Sequence, residues 1–283
     1  MIVNQIWSLS NRVAIVRSEA VAQGVQKKVN GRISVHLRLK VVTAAFLLLL
    51  AADTSAQDHL QFGQPDCPGA LLDKQFFVLC HNSETKIPDW VGYALTSEDL
   101  EGSTERTDDF RPDPELPVGN RAELDDYRGS GYDRGHMAPA ADFVRSEEAM
   151  STSFLLSNMA PQTISLNRGR WAQLEAAARE LASECDVWIF TGPIFIGGNP
   201  IEEIGENGVD VPTHFYKVIL CVHEDDSKEA FASIMPNITG LQPGLENYST
   251  SVDNVEELTG LDFWGEAPAS DQEDLEAEVN HLP

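Results

Sequence analysis

Downstream of residue 70, the chain alternates short apolar runs with polar segments. Each run is rich in aromatic or β-branched side chains and is bounded by polar residues, glycine or proline, the pattern typical of strands. The runs predict strands at 75–81, 89–95, 186–190, 215–222 and 230–235.

One segment, residues 165–182, has helical rather than strand periodicity. Trp171, Leu174, Ala178 and Leu181 recur at helical spacing, with polar residues between them. This segment predicts the clearest helix of the chain, packed through its apolar stripe.

The intervening segments are polar. Residues 97–131 contain three prolines and several glycines and predict a loop. The end of the chain, residues 271–283, holds five acids and little to bury, which predicts a mobile acidic tail. Since no internal repeat is present, the pattern predicts one mixed α and β domain over 57–270.

The first 56 residues are organised as an extension followed by an export signal. Seven Lys or Arg and one acid precede residue 41, an uncharged run fills 41–52, and small residues continue to Ala56. These features predict a signal peptide at about 30–56, since a membrane span would need about 20 apolar residues. The residues before it are either a misplaced translation start or an unusual basic region. We expect a periplasmic or secreted protein, with no membrane segment in the mature form.

Composition adds one conflict to this picture. The 283 residues are 42% hydrophobic, which excludes a disordered or fibrous protein. Twenty Lys and Arg stand against 45 Asp and Glu, a net charge of −25. Removing residues 1–56 takes away seven bases and two acids and leaves −30. Taken alone, this charge argues against a polyanionic partner.

Four cysteines follow the predicted signal: Cys67, Cys80, Cys185 and Cys221. An even number in an exported chain predicts two disulfides, for which three pairings exist. We favour Cys67–Cys80 and Cys185–Cys221, because the members of each pair lie on or beside segments expected to be neighbouring strands. No CxxC spacing is present, which argues against zinc.

Candidate chemistry is concentrated around His136, which follows Asp133, Arg134 and Gly135. Histidine accepts a proton near neutral pH, arginine binds phosphate with two hydrogen bonds, and glycine allows close approach of the backbone. Four residues alone are not specific, and a surface turn with an uninvolved histidine would explain them equally well.

The wider segment 127–142, YRGSGYDRGHMAPAAD, resembles the signature of the DNA/RNA non-specific endonucleases. These are ββα-metal (His-Me finger) nucleases, which include mitochondrial endonuclease G and secreted bacterial nucleases. A second block has the family's order and spacing, beginning with SNMAPQ at 157–162. It continues with Asn167, Trp171, Glu175 and Arg179. The resemblance covers about residues 75–240 and implies an α+β fold, a mixed, mostly antiparallel sheet flanked by helices.

The resemblance also implies roles for individual residues. His136 matches the general base, Asn167 the single protein ligand of a divalent ion, and Glu175 a carboxylate that holds water beside that ion. Asn158 matches a residue of the family's catalytic set that supports the site by a hydrogen bond near the base. Arg134 and Arg179 match residues that bind the phosphate. Arg106, in the variable run-in to the motif, matches a substrate-binding residue.

These matches imply an exported Mg²⁺-dependent endonuclease, with Mn²⁺ as the alternative metal. It would hydrolyse DNA and RNA, single- or double-stranded, to 5′-phosphoryl ends, with a homodimer as one assembly to consider. The alternative is a non-catalytic, acidic binding protein on the same scaffold that mimics nucleic acid. A phosphodiesterase acting on another phosphate ester is a third reading.

The acidic charge and the nucleic-acid substrate are reconciled by a hypothesis of a basic cleft on an acidic body. Seven of the 13 basic residues after residue 56 lie between 121 and 179. They are Arg121, Arg128, Arg134, Arg145, Arg168, Arg170 and Arg179.

Overall fold

The structure is a computed structural model that describes residues 59–267 and 269–282. The predicted signal peptide and the extension before it lie outside these residues. No helix within the described part is long and apolar enough to cross a membrane.

A seven-stranded sheet forms the centre of the domain, and every neighbouring pair in it is antiparallel. The spatial order is β1-β2-β3-β6-β9-β10-β11. Its strands are β1 (Ala70–Asp73), β2 (Val78–His81), β3 (Pro88–Leu95), β6 (Asp186–Ile194), β9 (His214–Val222), β10 (Lys228–Pro236) and β11 (Ser249–Thr250). The fold class is therefore α+β with an antiparallel sheet, as the resemblance implied.

The two faces of this sheet are both covered, which explains why its inner strands are apolar at nearly every position. On one face, Val187, Ile189 and Phe215 join a core that contains Trp171 and Leu174. On the other face, alternate residues of the same strands join a second core. That core contains Val252, Val255, Phe263 and Trp264 from the C-terminal part of the domain.

Between β3 and β6 the chain forms a smaller unit outside the sheet, here called the ββα unit, which contains the motif residues. Strands β4 (Tyr132–His136) and β5 (Met159–Thr163) form an antiparallel pair. A π-helical turn, Leu166–Trp171, then leads into helix α3 (Ala172–Leu181). A separate two-stranded pair is formed by β7 (Glu203–Ile204) and β8 (Val209–Asp210). The other helices are α1 (Leu124–Tyr127), α2 (Glu147–Ser153), α4 (Val252–Thr259) and α5 (Ala269–Ala277).

The five predicted strands are all present, with bounds shifted by a few residues. The predicted helix 165–182 is divided, because Gly169 has the non-helical angles φ −113° and ψ −105°. The segment 97–131 is mainly loop, as predicted, with a 3₁₀ turn at Ser97–Leu100 and the short α1.

The C-terminal segment differs from the prediction of a tail with little to bury. Helix α5 contacts α4 and β10. Gln272 donates to the carbonyl oxygens of Trp264 and Ala267, and Asn280 donates to that of Ala230. Four of the five acids of this segment therefore lie on a packed helix, and Glu278 follows its end.

Both favoured disulfides are present. Cys67 is bonded to Cys80 of β2, and Cys185, which precedes β6, is bonded to Cys221 of β9. The strand argument is confirmed for the second pair, because β6 and β9 are adjacent and Val187 pairs with Cys221.

Candidate active site

The β4–β5 pair places His136 at the end of a strand, next to Met159. The segment that follows His136 is held by hydrogen bonds to Asn158, which is completely buried. Its Oδ1 accepts from the backbone N–H of Ala138 at 2.9 Å, and its Nδ2 donates to the Ala138 carbonyl at 2.8 Å. Asn158 thus fixes the backbone two residues after His136, and the predicted hydrogen bond near the base goes to main chain rather than to the imidazole.

The imidazole of His136 packs between two phenylalanine rings. Its centroid lies 5.7 Å from that of Phe110 and 5.0 Å from that of Phe154. Each ring also carries a guanidinium: Arg134 lies 4.1 Å from the Phe110 centroid and Arg106 lies 4.7 Å from the Phe154 centroid. Stacked guanidinium groups are held in place while they stay available to an anion. The structure therefore brings Arg106, Arg134 and His136 together.

These neighbours favour the neutral imidazole. Burial, followed by the positive charges of Arg106 and Arg134, lowers the pKa of His136 to about 3. The side chain is 7% exposed, and its Nε2 is buried without a hydrogen-bond partner among the described residues. At neutral pH the ring is consequently in the form that accepts a proton.

Asn167 lies on the π-helical turn that joins β5 to α3. Its Nδ2 donates to Oδ2 of Asp133 at 2.9 Å, and Arg168 forms a two-pronged ion pair with the same carboxylate. Because a carboxylate only accepts hydrogen bonds, Asp133 fixes the Asn167 amide with its nitrogen towards Asp133. The Oδ1 oxygen has no donor within the described part of the chain and is available to a hard cation. The donor set thus fits the divalent metal that the resemblance implies.

Glu175 and Arg179 occupy the next two turns, on α3. Arg179 donates to Oδ1 of buried Asp142 at 2.9 Å, and the Tyr93 hydroxyl donates to the other Asp142 oxygen. Glu175 faces charges from Lys217, Asp142, Arg179 and Arg106. Burial raises the pKa of Glu175, against the opposing effect of the Lys217 ammonium.

Arg106 connects the two halves of the site. Its charge acts on both His136 and Glu175, so the guanidinium lies near both the strand and the helix residues. The structure does not place Asn167 in contact with another residue of the predicted set, because its hydrogen-bond partner within the described part of the chain is Asp133.

Two residues of this centre were missed by sequence reasoning. Lys217 is 1% exposed, donates to Thr191 Oγ1 at 2.6 Å, and lies over the rings of Trp171 and Tyr93. Asp142 was visible as the last residue of the first motif block, but no role was given to it. A lysine in an otherwise apolar strand is the signal that would have identified Lys217.

The basic-cleft hypothesis is only partly correct. Five of its seven arginines form ion pairs with carboxylates: Arg121, Arg128, Arg145, Arg168 and Arg179. Arg170 donates to the carbonyl of Gln242 and to the side chain of Gln173. Within the described residues, Arg134 has no acidic partner and stacks on Phe110 instead. The positive character of the cleft thus rests mainly on Arg134, because the adjacent Arg106 is paired with Asp108.

Comparison with known proteins agrees with this geometry. The model of the DNA/RNA non-specific endonuclease family matches residues 55–270. The chain is 38% identical over 235 residues to nuclease C1 of Cunninghamella echinulata var. echinulata, covering 78% of this chain and 93% of that protein. It is 37% identical to human mitochondrial endonuclease G, covering 68% of this chain and 69% of that protein. A solved structure of the EndoG/EndoGI complex is similar with a TM-score of 0.71 and 31% identity, covering 75% of this chain and 92% of that one.

Proposed function

The chain belongs to the DNA/RNA non-specific endonuclease family and is a metal-dependent nucleic-acid phosphodiester hydrolase, and from this premise we propose that it is an exported Mg²⁺ endonuclease that uses His136 as its base. The observation that carries the proposal is the neutral imidazole of His136 packed between two rings that each bear a guanidinium. The alternative of a non-catalytic nucleic-acid mimic does not account for this arrangement.

His136 is proposed to accept the proton of the water that attacks phosphorus. A general base must be unprotonated at the operating pH, and it is most effective when its pKa lies near that pH. The lowered pKa keeps the imidazole unprotonated, and the negative charge of a bound phosphate would raise this pKa towards the operating pH. Asn158 holds the backbone after the base. The enclosing Phe110 and Phe154 rings restrict the orientation of the imidazole and exclude bulk water.

Arg134, Arg106 and Arg179 are proposed to bind the scissile phosphate and to balance charge that develops on its oxygens. Arg134 and Arg106 are held by stacking, and Arg179 is held by Asp142. Contacts of this kind go to the phosphate rather than to base edges, so they explain low sequence specificity on both DNA and RNA.

Asn167 is proposed to hold the metal through its amide oxygen, with Glu175 as the nearby carboxylate. When bound, Mg²⁺ or Mn²⁺ supplies positive charge to the phosphate and leaving oxygens. Mg²⁺ retains several waters and needs few protein ligands, which agrees with a site built on one amide. Asp133 and Arg168 orient that amide.

Export is proposed from the predicted signal at about 30–56 and is supported by the two disulfides, which persist in oxidising compartments. N-terminal sequencing of the protein recovered outside the cytoplasm should read from Gln57. The homodimer stays a prediction that light scattering of the purified protein would test.

The direct test is digestion of supercoiled plasmid with Mg²⁺, with Mn²⁺ and with EDTA. His136→Ala and Asn167→Ala should each lower the cleavage rate by at least about 10²-fold, while His223→Ala, a half-buried histidine of a turn, should cleave at the wild-type rate. End-labelling should show 5′-phosphoryl products. Wild-type protein that binds plasmid and never cuts it would favour the non-catalytic alternative.

A further inference from the structure

A second group of acids lies in the C-terminal layer, on the face of the sheet opposite to the ββα unit. Asp253 and Glu256 project from α4, and Glu276 projects from α5. One carboxylate oxygen from each of the three lies within 4.8 Å of the others. Residues three apart on a helix share a face, so Asp253 and Glu256 are presented together towards α5.

Glu276 is the residue that distinguishes this group from an ordinary acidic surface. Its side chain is only 9% exposed, and its Oε1 is buried without any hydrogen-bond partner in the described part of the chain. A buried carboxylate oxygen without a partner is costly, and native proteins rarely leave one in that state. Something absent from the protein chain must satisfy it.

The surrounding charges are all of one sign. Burial, followed by the charges of Glu256, Asp262 and Asp253, raises the pKa of Glu276 to about 7. Burial, Asp262 and Asp253 likewise raise the pKa of Glu256, although the backbone N–H of Phe263 donates to its Oε1. The charges that act on these two carboxyls are all negative. The missing partner is therefore a cation or a proton.

We propose that Asp253, Glu256 and Glu276 form a second metal site, specific for a Ca²⁺-sized divalent cation and separate from the catalytic metal. Hard cations take carboxylate oxygens, and Ca²⁺ binds them at about 2.3–2.6 Å in flexible geometry. The three carboxylate oxygens lie within 4.8 Å of one another, which is close enough for all of them to reach one such ion. Mg²⁺ requires about 2.1 Å and a near-ideal octahedron, a stricter geometry than carboxylates from two separate helices readily meet.

Such an ion would fasten α5 to α4. The helix is otherwise anchored at a few points, among them the hydrogen bonds from Gln272 to the carbonyls of Trp264 and Ala267. The ion would cancel the repulsion among the carboxylates and cross-link two elements that cover the second core. Its expected effect is on stability and on docking of the C-terminal helix.

The experiment uses the purified protein carrying Asn167→Ala, so that the proposed catalytic metal site contributes nothing to the readout. Thermal unfolding is followed in EDTA, in Ca²⁺, in Mg²⁺ and in NaCl of equal ionic strength. At a tenfold excess over its dissociation constant, Ca²⁺ should raise Tm by about 3–5 °C, and Mg²⁺ should act more weakly. Tb³⁺ should give luminescence sensitised by the buried Trp264, whose carbonyl is bonded to α5.

Glu276→Gln should abolish both signals, and Asp253→Asn, at an exposed position, gives a second variant that does not disturb packing. The matched control is Glu273→Gln, an exposed acid on the same helix, which should retain the full response. An equal response of Glu276→Gln and Glu273→Gln would overturn the proposal in favour of general screening. No Ca²⁺ response, with a Tm that falls as pH rises through 7, would overturn it in favour of a shared proton.

Discussion

Arg179 donates a hydrogen bond from Nη1 to Oδ1 of Asp142 at 2.9 Å, and this ion pair joins α3 to the segment that follows His136. The Asp142 side chain is 1% exposed, whereas that of Arg179 is 25% exposed. The Tyr93 hydroxyl donates a hydrogen bond to the other carboxylate oxygen of Asp142. Arg179 is thus held from its buried side and still reaches the cleft, so Asp142 is a positioning residue.

The first prediction concerns that pair. Asp142→Asn removes the charge that orients Arg179 but keeps the size of the side chain. We expect kcat on a fluorogenic oligonucleotide to fall about 10- to 100-fold with little change in KM, because misplacing a group that acts on the transition state lowers the chemical step. Asp99→Asn, which breaks the exposed pair with Arg145, is the control and should stay within about twofold. Equal kcat for the two variants would contradict the positioning role.

The second prediction concerns stability against pH. The pKa of His136 is about 3 in the folded protein and near 6.5 when unfolded, so the unfolded state alone binds this proton between those values. The contribution of the neutral histidine is therefore complete above pH 6.5 and is lost as pH falls towards 3. His136→Gln lacks this proton, so its free energy of unfolding relative to wild type should improve by up to about 1.4 kcal/mol per pH unit below 6.5.

Urea unfolding of both proteins between pH 4.5 and 7.5 measures this difference. The other histidines cancel, because they are common to the two proteins. A difference that stays constant over the range would mean that the imidazole has the same pKa in the folded and unfolded states, contrary to its burial beside two guanidinium groups.

The third prediction follows from the pairing of the arginines. Since most of them are neutralised by carboxylates, few phosphates can be contacted by unpaired charge, and binding should depend only weakly on salt. With two or three contacts, log Kd against log salt should have a slope of about 2–3 in magnitude. Arg134→Met should lower the slope by about one, whereas Arg128→Met, whose guanidinium pairs with Asp125, should leave it unchanged.

The slopes of log Kd against log salt are measured by fluorescence anisotropy with a labelled duplex. The protein carries His136→Ala, so that it should bind without cutting. A slope much steeper than about 3 in magnitude would contradict the conclusion that most of these arginines are neutralised.

How far the sequence could predict the structure depended on whether the signal was local. The strands were recovered because apolar runs and turns are local features. The ββα unit was not visible in the periodicity, since β4 contains Asp133, Arg134, Gly135 and His136, which are polar or small. Those residues were recognised by resemblance alone, and so were the roles proposed for them.

The features that the sequence did not predict depend mainly on contacts between segments that are distant in the chain. Lys217 and Asp142 are 75 positions apart in the chain and meet only after the sheet and the ββα unit have packed together. The division of the helix at Gly169 was likewise hidden, because an isolated glycine within a helical pattern is usually tolerated. The packed α5 was hidden by its charge, which suggested solvent on all sides.

The last prediction separates the contributions of the two disulfides. Cys185–Cys221 closes a separation of 36 residues and Cys67–Cys80 one of 13. In the chain-entropy model these loops correspond to about 4 and about 3 kcal/mol of stability, so the longer one should matter more by about 1 kcal/mol. The paired variants Cys185→Ala/Cys221→Ala and Cys67→Ala/Cys80→Ala would be compared by urea unfolding at neutral pH. Each removes two sulfur atoms, of which one is completely buried, so the lost packing is similar. A larger loss for the Cys67–Cys80 pair would show that native contacts at the start of the domain, rather than the entropy of the unfolded chain, determine the effect.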